Sequence, residues 1–433
     1  MKMNWKTFGF KLNPHGNRHH FKKYFKNHYL KDTVILLGGN GVKLFLGFLI
    51  NVILAKLLGP FNYGFYFTIM TIVLICVNIS DFGLGNALNR LTRILKDQIN
   101  EVLSVIFGLK ILLLLIFLSL IYIFVPYISD FIKTFKQIDQ YLRLAILLIL
   151  AESVFRFILA IFQSQKRFKK YSLLLILNNS FRFSGIIILF IFSKLTILYV
   201  LLLYLTSFLI LTITQFPAWK FRCNSLGIIL KEVFPYAFWV WMFIIFNTLF
   251  VKSDILIANI LNYSELVVGN YSLYITFVSI MNLIQASIFT QLLPKTMHFT
   301  KKHDYHNYYQ EVNHIRIILV AFCFLYILLI PIVLKMFYQD QYSIHYMKFV
   351  FLGLPFVFSL FNEFNSVLLY SLQKHHFIFI AYVIGLVVLC SCFCMRIEMK
   401  SIDHIMYAVI ISKLVVDLYI YIQVKRCIKT LKS

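Results

Sequence analysis

The sequence predicts an all-α polytopic membrane protein with about twelve transmembrane helices in two six-helix lobes. Of its 433 residues, 60% are hydrophobic and only 14% are charged, and the mean hydropathy is +0.80. A soluble domain cannot bury so much apolar surface in one core. A membrane-spanning helix takes roughly 20 apolar residues, so twelve spans occupy somewhat over half of the chain and leave only short connections.

Apolar runs bounded by charges or turn residues place the spans. The first six are predicted near residues 33–56, 64–89, 102–125, 138–162, 171–193 and 195–216. The second six are predicted near residues 232–258, 266–293, 312–337, 343–370, 376–395 and 402–424. The chain is therefore divided into a basic cytoplasmic tail (1–31), an N-terminal six-helix lobe (32–217) and a C-terminal six-helix lobe with a short cytoplasmic tail (218–433).

A short internal repeat supports the division into two lobes. Gly64-Phe65-Tyr66 opens the second span of the first lobe, and Gly269-Asn270-Tyr271 opens the second span of the other. Internal repeats are common in transporters, whose substrate site lies where the repeats meet.

The distribution of Lys and Arg predicts that both termini are cytoplasmic. Loops on the side of the termini hold roughly 26 of these residues, and the opposite loops and helix ends hold about eight. The formal charge of +25 is thus explained by membrane topology, and no nucleic-acid partner is expected. Residues 1–31 lack the apolar stretch of a cleavable signal peptide, and they either fix the topology or lie on an anionic leaflet.

Ionisable side chains within spans are candidate functional residues, because each costs several kcal/mol unless it faces other helices or water. Lys43, Arg143 and Arg182 have no obvious partner nearby in sequence. With Arg156 they are candidate substrate-binding residues of a cationic cavity, since a phosphate group needs several positive partners before it leaves water. Scattered packing pairs remain the alternative.

The acidic residues Asp81, Asp254 and Glu363 are candidate coupling or gating groups. Two cation and acid pairs stand four residues apart on one helix face, Glu152 with Arg156 and Lys413 with Asp417, and they either neutralise one another or serve the cavity. Lys110 lies towards a cytoplasmic helix end, where snorkelling of its amine to the membrane surface is expected.

No catalytic or metal chemistry is indicated. There is no Gly-x-x-x-x-Gly-Lys-Ser/Thr loop for ATP, the histidines lack an HExxH pattern, and the seven cysteines form no zinc or disulfide pattern. The sequence therefore predicts no cofactor.

Three segments resemble the O-antigen and capsular polysaccharide flippases. They are Gly41-Val42-Lys43, the stretch Leu57-Leu58-Gly59-Pro60 leading into Tyr63-Gly64-Phe65-Tyr66, and Ser80-Asp81-Phe82-Gly83-Leu84. The run that starts at Lys252-Ser253-Asp254, followed by Gly269-Asn270-Tyr271, is similar to the second-half motif of these flippases. The superfamily also holds multidrug exporters and lipid II flippases.

The resemblance implies a polysaccharide-unit flippase of the inner (plasma) membrane. Its substrate would be an oligosaccharide on undecaprenyl pyrophosphate, moved from the cytoplasmic to the outer face, with a proton or sodium gradient and polysaccharide assembly proteins as further partners. One alternative is a small-molecule exporter of the same superfamily. Another is a membrane polysaccharide polymerase, but no predicted external loop exceeds about 15 residues, whereas such enzymes bring a long catalytic loop.

Overall fold

The computed structural model is built of α-helices in the part of the chain that it describes. That part comprises residues 18–95, 98–132, 134–135, 138–216, 226–296, 302–338, 341–372, 374, 376–395 and 401–429. The first six helices are α1 (Arg18–Ile79), α2 (Leu84–Ile94), α3 (Ile99–Phe131), α4 (Ile138–Ser164), α5 (Phe168–Ile191) and α6 (Ile197–Thr214). The others are α7 (Leu226–Ile260), α8 (Glu265–Val278), α9 (Ile280–Thr296), α10 (Lys302–Tyr338), α11 (Tyr346–Ser371), α12 (His376–Met395) and α13 (Ile402–Lys429).

Ten of these helices are long and apolar enough to cross a membrane, which confirms the polytopic all-α prediction. These ten helices account for eleven of the twelve predicted spans, because α1 contains two. The remaining span corresponds to α8 and α9 together. The two arms of α1 are separated at Gly59, whose φ of 71° is left-handed, and Pro60 follows. Lys43 before this break and Asn78 after it both lie near Arg156, so the two arms run antiparallel.

The predicted span 64–89 is not one continuous helix. Helix α1 ends at Ile79 and α2 begins at Leu84, with left-handed φ values of 49° at Phe82 and 70° at Gly83 between them. A Cβ atom on Gly83 would collide with the backbone of Ala237 on α7, so the close approach of α7 requires glycine here. The Trp241 indole donates a hydrogen bond to the Ile79 carbonyl at 2.7 Å and so satisfies an acceptor at this helix end.

The two repeat motifs contact each other where the halves of the chain meet. A Cβ atom built on Gly64 would lie 2.8 Å from the backbone nitrogen of Gly269, and one on Gly269 would collide with the Pro60 carbonyl. The Tyr63 hydroxyl and the Thr276 hydroxyl are 2.6 Å apart beside this contact. The backbones of α1 and α8 therefore approach as closely as small-residue packing in membranes permits.

Further bonds join the first arm of α1 to the end of α10 and the loop that follows it. The hydroxyls of Tyr338 and Tyr342 donate to the carbonyls of Val52 and Ala55, each at 2.8 Å. The Lys56 amine donates to the Phe337 carbonyl. The two halves of the chain are therefore in close contact at the end of the first arm of α1.

At the other end of the molecule, the first part of α7 packs on helices of the first half. Leu88 of α2 and Ile106 of α3 share a buried cluster with Ile229 and Val233 of α7. Residues 217–225, where the predicted lobes 32–217 and 218–433 join, lie outside the described residues, as do residues 1–17 of the predicted tail. The lobe boundaries and the cytoplasmic placement of both termini stay predictions.

The contact between Gly64 and Gly269 is expected to limit side-chain size. Gly269→Ala should lower the free energy of unfolding by about 1–3 kcal/mol, the usual cost of overpacking, and reduce the melting temperature of the purified protein. Gly108→Ala is the matched control, because a Cβ atom on Gly108 meets nothing within 4 Å. Equal melting temperatures for the two variants would contradict a tight junction.

Candidate functional site

A charged network lies where α4 faces the second arm of α1. Arg156 is one turn after Glu152 on α4, and its Nη2 and Nε atoms donate to Glu152 Oε1 at 2.5 and 2.9 Å. Its Nη1 atom donates to Asn78 Oδ1 at 2.8 Å. The predicted Glu152–Arg156 pair is thus formed, with 38% of the Arg156 side chain still exposed.

The network reaches the second half of the chain through Asn78. Asn78 Nδ2 donates to the hydroxyl of Thr248 on α7 at 2.9 Å. A continuous series of hydrogen bonds therefore runs from Glu152 through Arg156 and Asn78 to Thr248. Sequence reasoning missed Asn78 and Thr248, because uncharged polar residues within a span are common and give no distinctive pattern.

Arg182 of α5 is buried behind this network, with 8% of its surface exposed. Its Nε atom donates to Ser207 on α6 at 2.9 Å, and its guanidinium lies 4.0 and 4.1 Å from the ring centroids of Tyr204 and Phe208. Its Nη2 atom has no hydrogen-bond partner among the described residues. Stacking on aromatic faces stabilises the cation but leaves part of its donor fork free.

Lys43 completes a cluster with the two arginines. It lies on the first arm of α1 within electrostatic range of Arg156, Arg182 and Glu152. Its amine forms no hydrogen bond or ion pair to the residues that the structure describes. We call Lys43, Arg156 and Arg182, with Glu152, the cation cluster.

The cation cluster has more positive than negative charge. It brings three cations to one carboxylate, and that carboxylate is already bound by Arg156. Excess positive charge at hydrocarbon depth favours an anionic ligand with several acceptor oxygens. The described residues include no group of three or more His, Cys, Asp or Glu side chains that would hold a metal ion.

Arg143 lies apart from the cation cluster, and the expectation that it has no nearby partner is wrong. Its side chain is 49% exposed and its Nε atom donates to Asp139, one turn earlier on α4, at 3.1 Å. The Tyr122 hydroxyl is a further acceptor at 3.4 Å. The spacing of four residues between Asp139 and Arg143 was a visible signal for this pair.

Lys110 and Asp81 form a separate pair at the break between α1 and α2. Lys110 is 1% exposed, so the expectation that it snorkels to the membrane surface is wrong. Its amine lies 3.3 Å from Asp81 Oδ1 and donates to the Ser80 carbonyl at 2.8 Å. A buried Lys requires such partners. The Lys110 amine in turn satisfies the Ser80 carbonyl, an acceptor at the end of α1.

Asp254 is a buried acid of the second half. It accepts hydrogen bonds from the Tyr271 hydroxyl at 2.5 Å and from the Ile255 backbone at 2.8 Å. Lys252 and Lys413 lie within electrostatic range of it. Tyr271 belongs to the repeat motif, so this acid is linked to the junction of the halves.

The predicted Lys413–Asp417 ion pair is not a direct contact. Asp417 accepts its hydrogen bonds from Ser359 at 2.7 Å and from Asn362 at 3.4 Å. The Lys413 amine instead lies 4.1 Å from the Phe356 ring centroid. Glu363, on α11, is within electrostatic range of Asp417, so acids gather in this part of the second half.

Fold and site together define a multi-pass membrane protein with a charged cluster in its first half, which hydrogen bonds through Asn78 to the second half. Residues 29–301 match the family model described as polysaccharide biosynthesis protein. The chain belongs to the polysaccharide biosynthesis protein family, which confirms the resemblance found in the sequence. No curated protein sequence matches it at a significant level.

Solved transporters share the fold at low sequence identity. The lipid II flippase MurJ, in an inward closed conformation, superposes with a TM-score of 0.69 at 16% identity and covers 90% of this chain and 87% of MurJ. An inward-facing multidrug resistance MATE family transporter of the MOP superfamily gives 0.65 at 13% identity, covering 92% and 100%. A Vibrio cholerae MATE transporter gives 0.59 at 10% identity, covering 94% and 98%.

The buried Lys110–Asp81 pair is expected to be needed for stability. Lys110→Met leaves Asp81 without its cation and should lower the free energy of unfolding by about 3–5 kcal/mol, since one partner of a buried pair is removed. The double variant Lys110→Met with Asp81→Asn should recover much of this loss. Thermal unfolding of the purified variants measures both effects.

Arg143→Gln is the matched control for that experiment, because it breaks an ion pair that is exposed to solvent or lipid head groups. Its melting temperature should remain near that of the wild type. A loss for Lys110→Met no larger than that for Arg143→Gln would contradict a structural role for the buried pair.

Proposed function

We propose that this protein is a flippase that moves an oligosaccharide linked to undecaprenyl pyrophosphate across the cytoplasmic membrane by alternating access. The observation that carries the proposal is the cation cluster, linked through Asn78 to the second half, in a chain of the polysaccharide biosynthesis protein family. The head group would bind there while the lipid tail stays in the bilayer. The transport direction in this proposal is from the cytoplasmic to the outer face.

The chemistry of the cation cluster suits a pyrophosphate. A pyrophosphate offers many acceptor oxygens and gives up strong hydration when it enters hydrocarbon. Lys43 has an unpaired amine and Arg182 has a free Nη2 atom among the described residues, so both have donors to offer. Arg156 keeps a partly exposed guanidinium while Glu152 and Asn78 hold it in place.

The contacts between the halves support alternating access. The junction is tight at Gly64, Gly269 and Tyr63, whereas the bond from Asn78 to Thr248 crosses between the halves beside the cation cluster. Backbone contact of this kind is a natural pivot, because glycines let helices rock without side-chain collision. Two halves rocking about a central site would expose it to each side in turn.

The solved relatives favour transport but differ in cargo. MurJ is a lipid II flippase, and the MATE structures are multidrug transporters. A small-molecule exporter remains the second candidate on the likeness to the MATE fold. The excess of cations in the cluster attracts an anionic, lipid-linked cargo and repels a cationic drug, so it favours the first candidate.

The acids are proposed to couple or gate transport. Asp254 lies near the cations Lys252 and Lys413, and Glu363 lies near the acid Asp417. A proton or sodium gradient would act on these acids. Asp81 would instead control the break between α1 and α2, because Lys110 holds it there. Placement in the inner membrane, cytoplasmic termini and contact with polysaccharide assembly proteins belong to the same proposal, which includes no enzymatic step.

The cation cluster is expected to be essential for exchange of the lipid-linked substrate. In proteoliposomes with fluorescent lipid-linked oligosaccharide, Lys43→Gln and Arg182→Gln should each slow transbilayer exchange on the order of tenfold or more, the effect of one lost hydrogen bond to a charged group. Arg143→Gln is the control and should exchange at the wild-type rate. Unchanged exchange in both cluster variants would remove these residues from the mechanism.

Drug efflux separates the two candidate functions. Cells or vesicles with the wild-type protein should export cationic dyes no faster than cells or vesicles without it. Dye export that survives Lys43→Gln and Arg182→Gln, with no exchange of the lipid-linked substrate, would instead favour the small-molecule exporter.

A further inference from the structure

An apolar pocket opens between α1, α5 and α6. Its volume is about 490 Å³, and its lining includes Leu46, Leu177, Phe181, Ser184, Ser207 and Ile210. This volume lies within the range of roughly 300–1,000 Å³ that is typical of ligand pockets. No step of the proposed transport mechanism above has used it.

The rim of the pocket faces the side of the molecule that contacts lipid. Large apolar side chains are exposed there, with 43% of Leu177, 39% of Phe181 and 46% of Ile210 accessible. These residues lie within two apolar helices that are long enough to span the membrane. The hydrocarbon chain of a lipid would therefore enter the pocket from the bilayer without crossing water.

The floor of the pocket touches the cation cluster. Ser207 lines the pocket, and its hydroxyl accepts the hydrogen bond from Arg182 Nε at 2.9 Å. Arg182 thus contacts a lining residue of the pocket and also lies within electrostatic range of Lys43, Arg156 and Glu152. An apolar site backed by a guanidinium with a free Nη2 atom suits a molecule that joins a hydrocarbon chain to an anion.

We propose that this pocket holds the isoprenoid tail of the carrier lipid next to its pyrophosphate, while the pyrophosphate contacts Arg182. The assignment rests on the proposed function, and it adds the route by which the lipid tail leaves the protein. The first isoprene units lie against Phe181 and Ile210, and the rest of the tail continues into the bilayer between α5 and α6. The tail then never has to enter the polar junction of the halves.

Depth in the membrane favours the carrier lipid over an ordinary phospholipid. Arg182 is 14 residues from the start of α5 at Phe168 and 9 from its end at Ile191, which places it about 21 Å and about 14 Å from the two helix ends. The phosphate of a phospholipid stays in the head-group layer, outside the hydrocarbon core. Only a lipid whose phosphate is drawn into the protein brings an anion to Arg182.

Photolabelling of the full-length protein tests the assignment. The probe is undecaprenyl pyrophosphate with a diazirine near the pyrophosphate end of its tail, in nanodiscs of neutral lipid, and labelled peptides are read by mass spectrometry. Labels are expected on α5 and α6 at the lining residues, and excess unlabelled undecaprenyl pyrophosphate should displace them. A diazirine phospholipid forms the second arm, and it should label these positions weakly and without such displacement.

Two variants fill the pocket from different helices. Ser184→Trp on α5 and Ile210→Trp on α6 should each reduce displaceable labelling, and exchange of the lipid-linked substrate, on the order of tenfold. Ile213→Trp is the matched control, because Ile213 is on the same helix, is 75% exposed and is not part of the lining. Equal melting temperatures of the three variants exclude misfolding as the cause.

The outcomes separate this assignment from the proposed function. Two results would overturn the pocket assignment and leave the flippase proposal intact, provided that the wild type exchanges the substrate. In the first, displaceable labels appear elsewhere in the protein; in the second, Ile210→Trp and Ile213→Trp have equal effects. Phospholipid labels that fill the pocket and resist displacement by undecaprenyl pyrophosphate also overturn the assignment. Displaceable pocket labelling in a protein that catalyses no exchange supports the site and contradicts the flippase proposal.

Discussion

The hydrogen bonds of the Arg156 guanidinium are the interaction on which the centre of the molecule depends. Two of them go to Glu152 on the same helix and one to Asn78, which in turn bonds Thr248 on α7. A guanidinium at hydrocarbon depth without these acceptors would be costly, so the charge fixes α4, the second arm of α1 and α7 together. The same bonds hold a partly exposed guanidinium in place, so stability and the proposed binding of an anion depend on one set of contacts.

The charged clusters of the two halves differ in their balance of cations and acids. In the first, Lys43, Arg156 and Arg182 surround the single acid Glu152. In the second, Asp254, Asp417 and Glu363 accompany the cations Lys252 and Lys413. This difference is consistent with the proposed binding of an anionic head group by the first cluster and of a cation or proton by the second.

The sequence predicted what hydropathy and local spacing control. Most of the predicted spans correspond to single helices, and the Glu152–Arg156 pair follows from one turn of helix. What it missed depends on contacts distant in sequence. The break before α2 exists because Gly83 meets Ala237, 154 positions later, and Lys110 is buried because Asp81 and the Ser80 carbonyl receive it. Arg143 is different, because its partner Asp139 precedes it by one turn and the pair follows from local spacing alone.

The internal repeat links the junction of the halves to both charged regions. In each motif a tyrosine follows the glycine by two residues. The Tyr66 hydroxyl donates to Tyr204, whose ring lies against the Arg182 guanidinium, while the Tyr271 hydroxyl donates to Asp254. Because Gly64 and Gly269 are in backbone contact, a rocking movement there must also shift the two tyrosines. Rocking of the halves about this contact would thus alter the cation site of the first half and the acid site of the second at the same time, as the proposed alternating access requires.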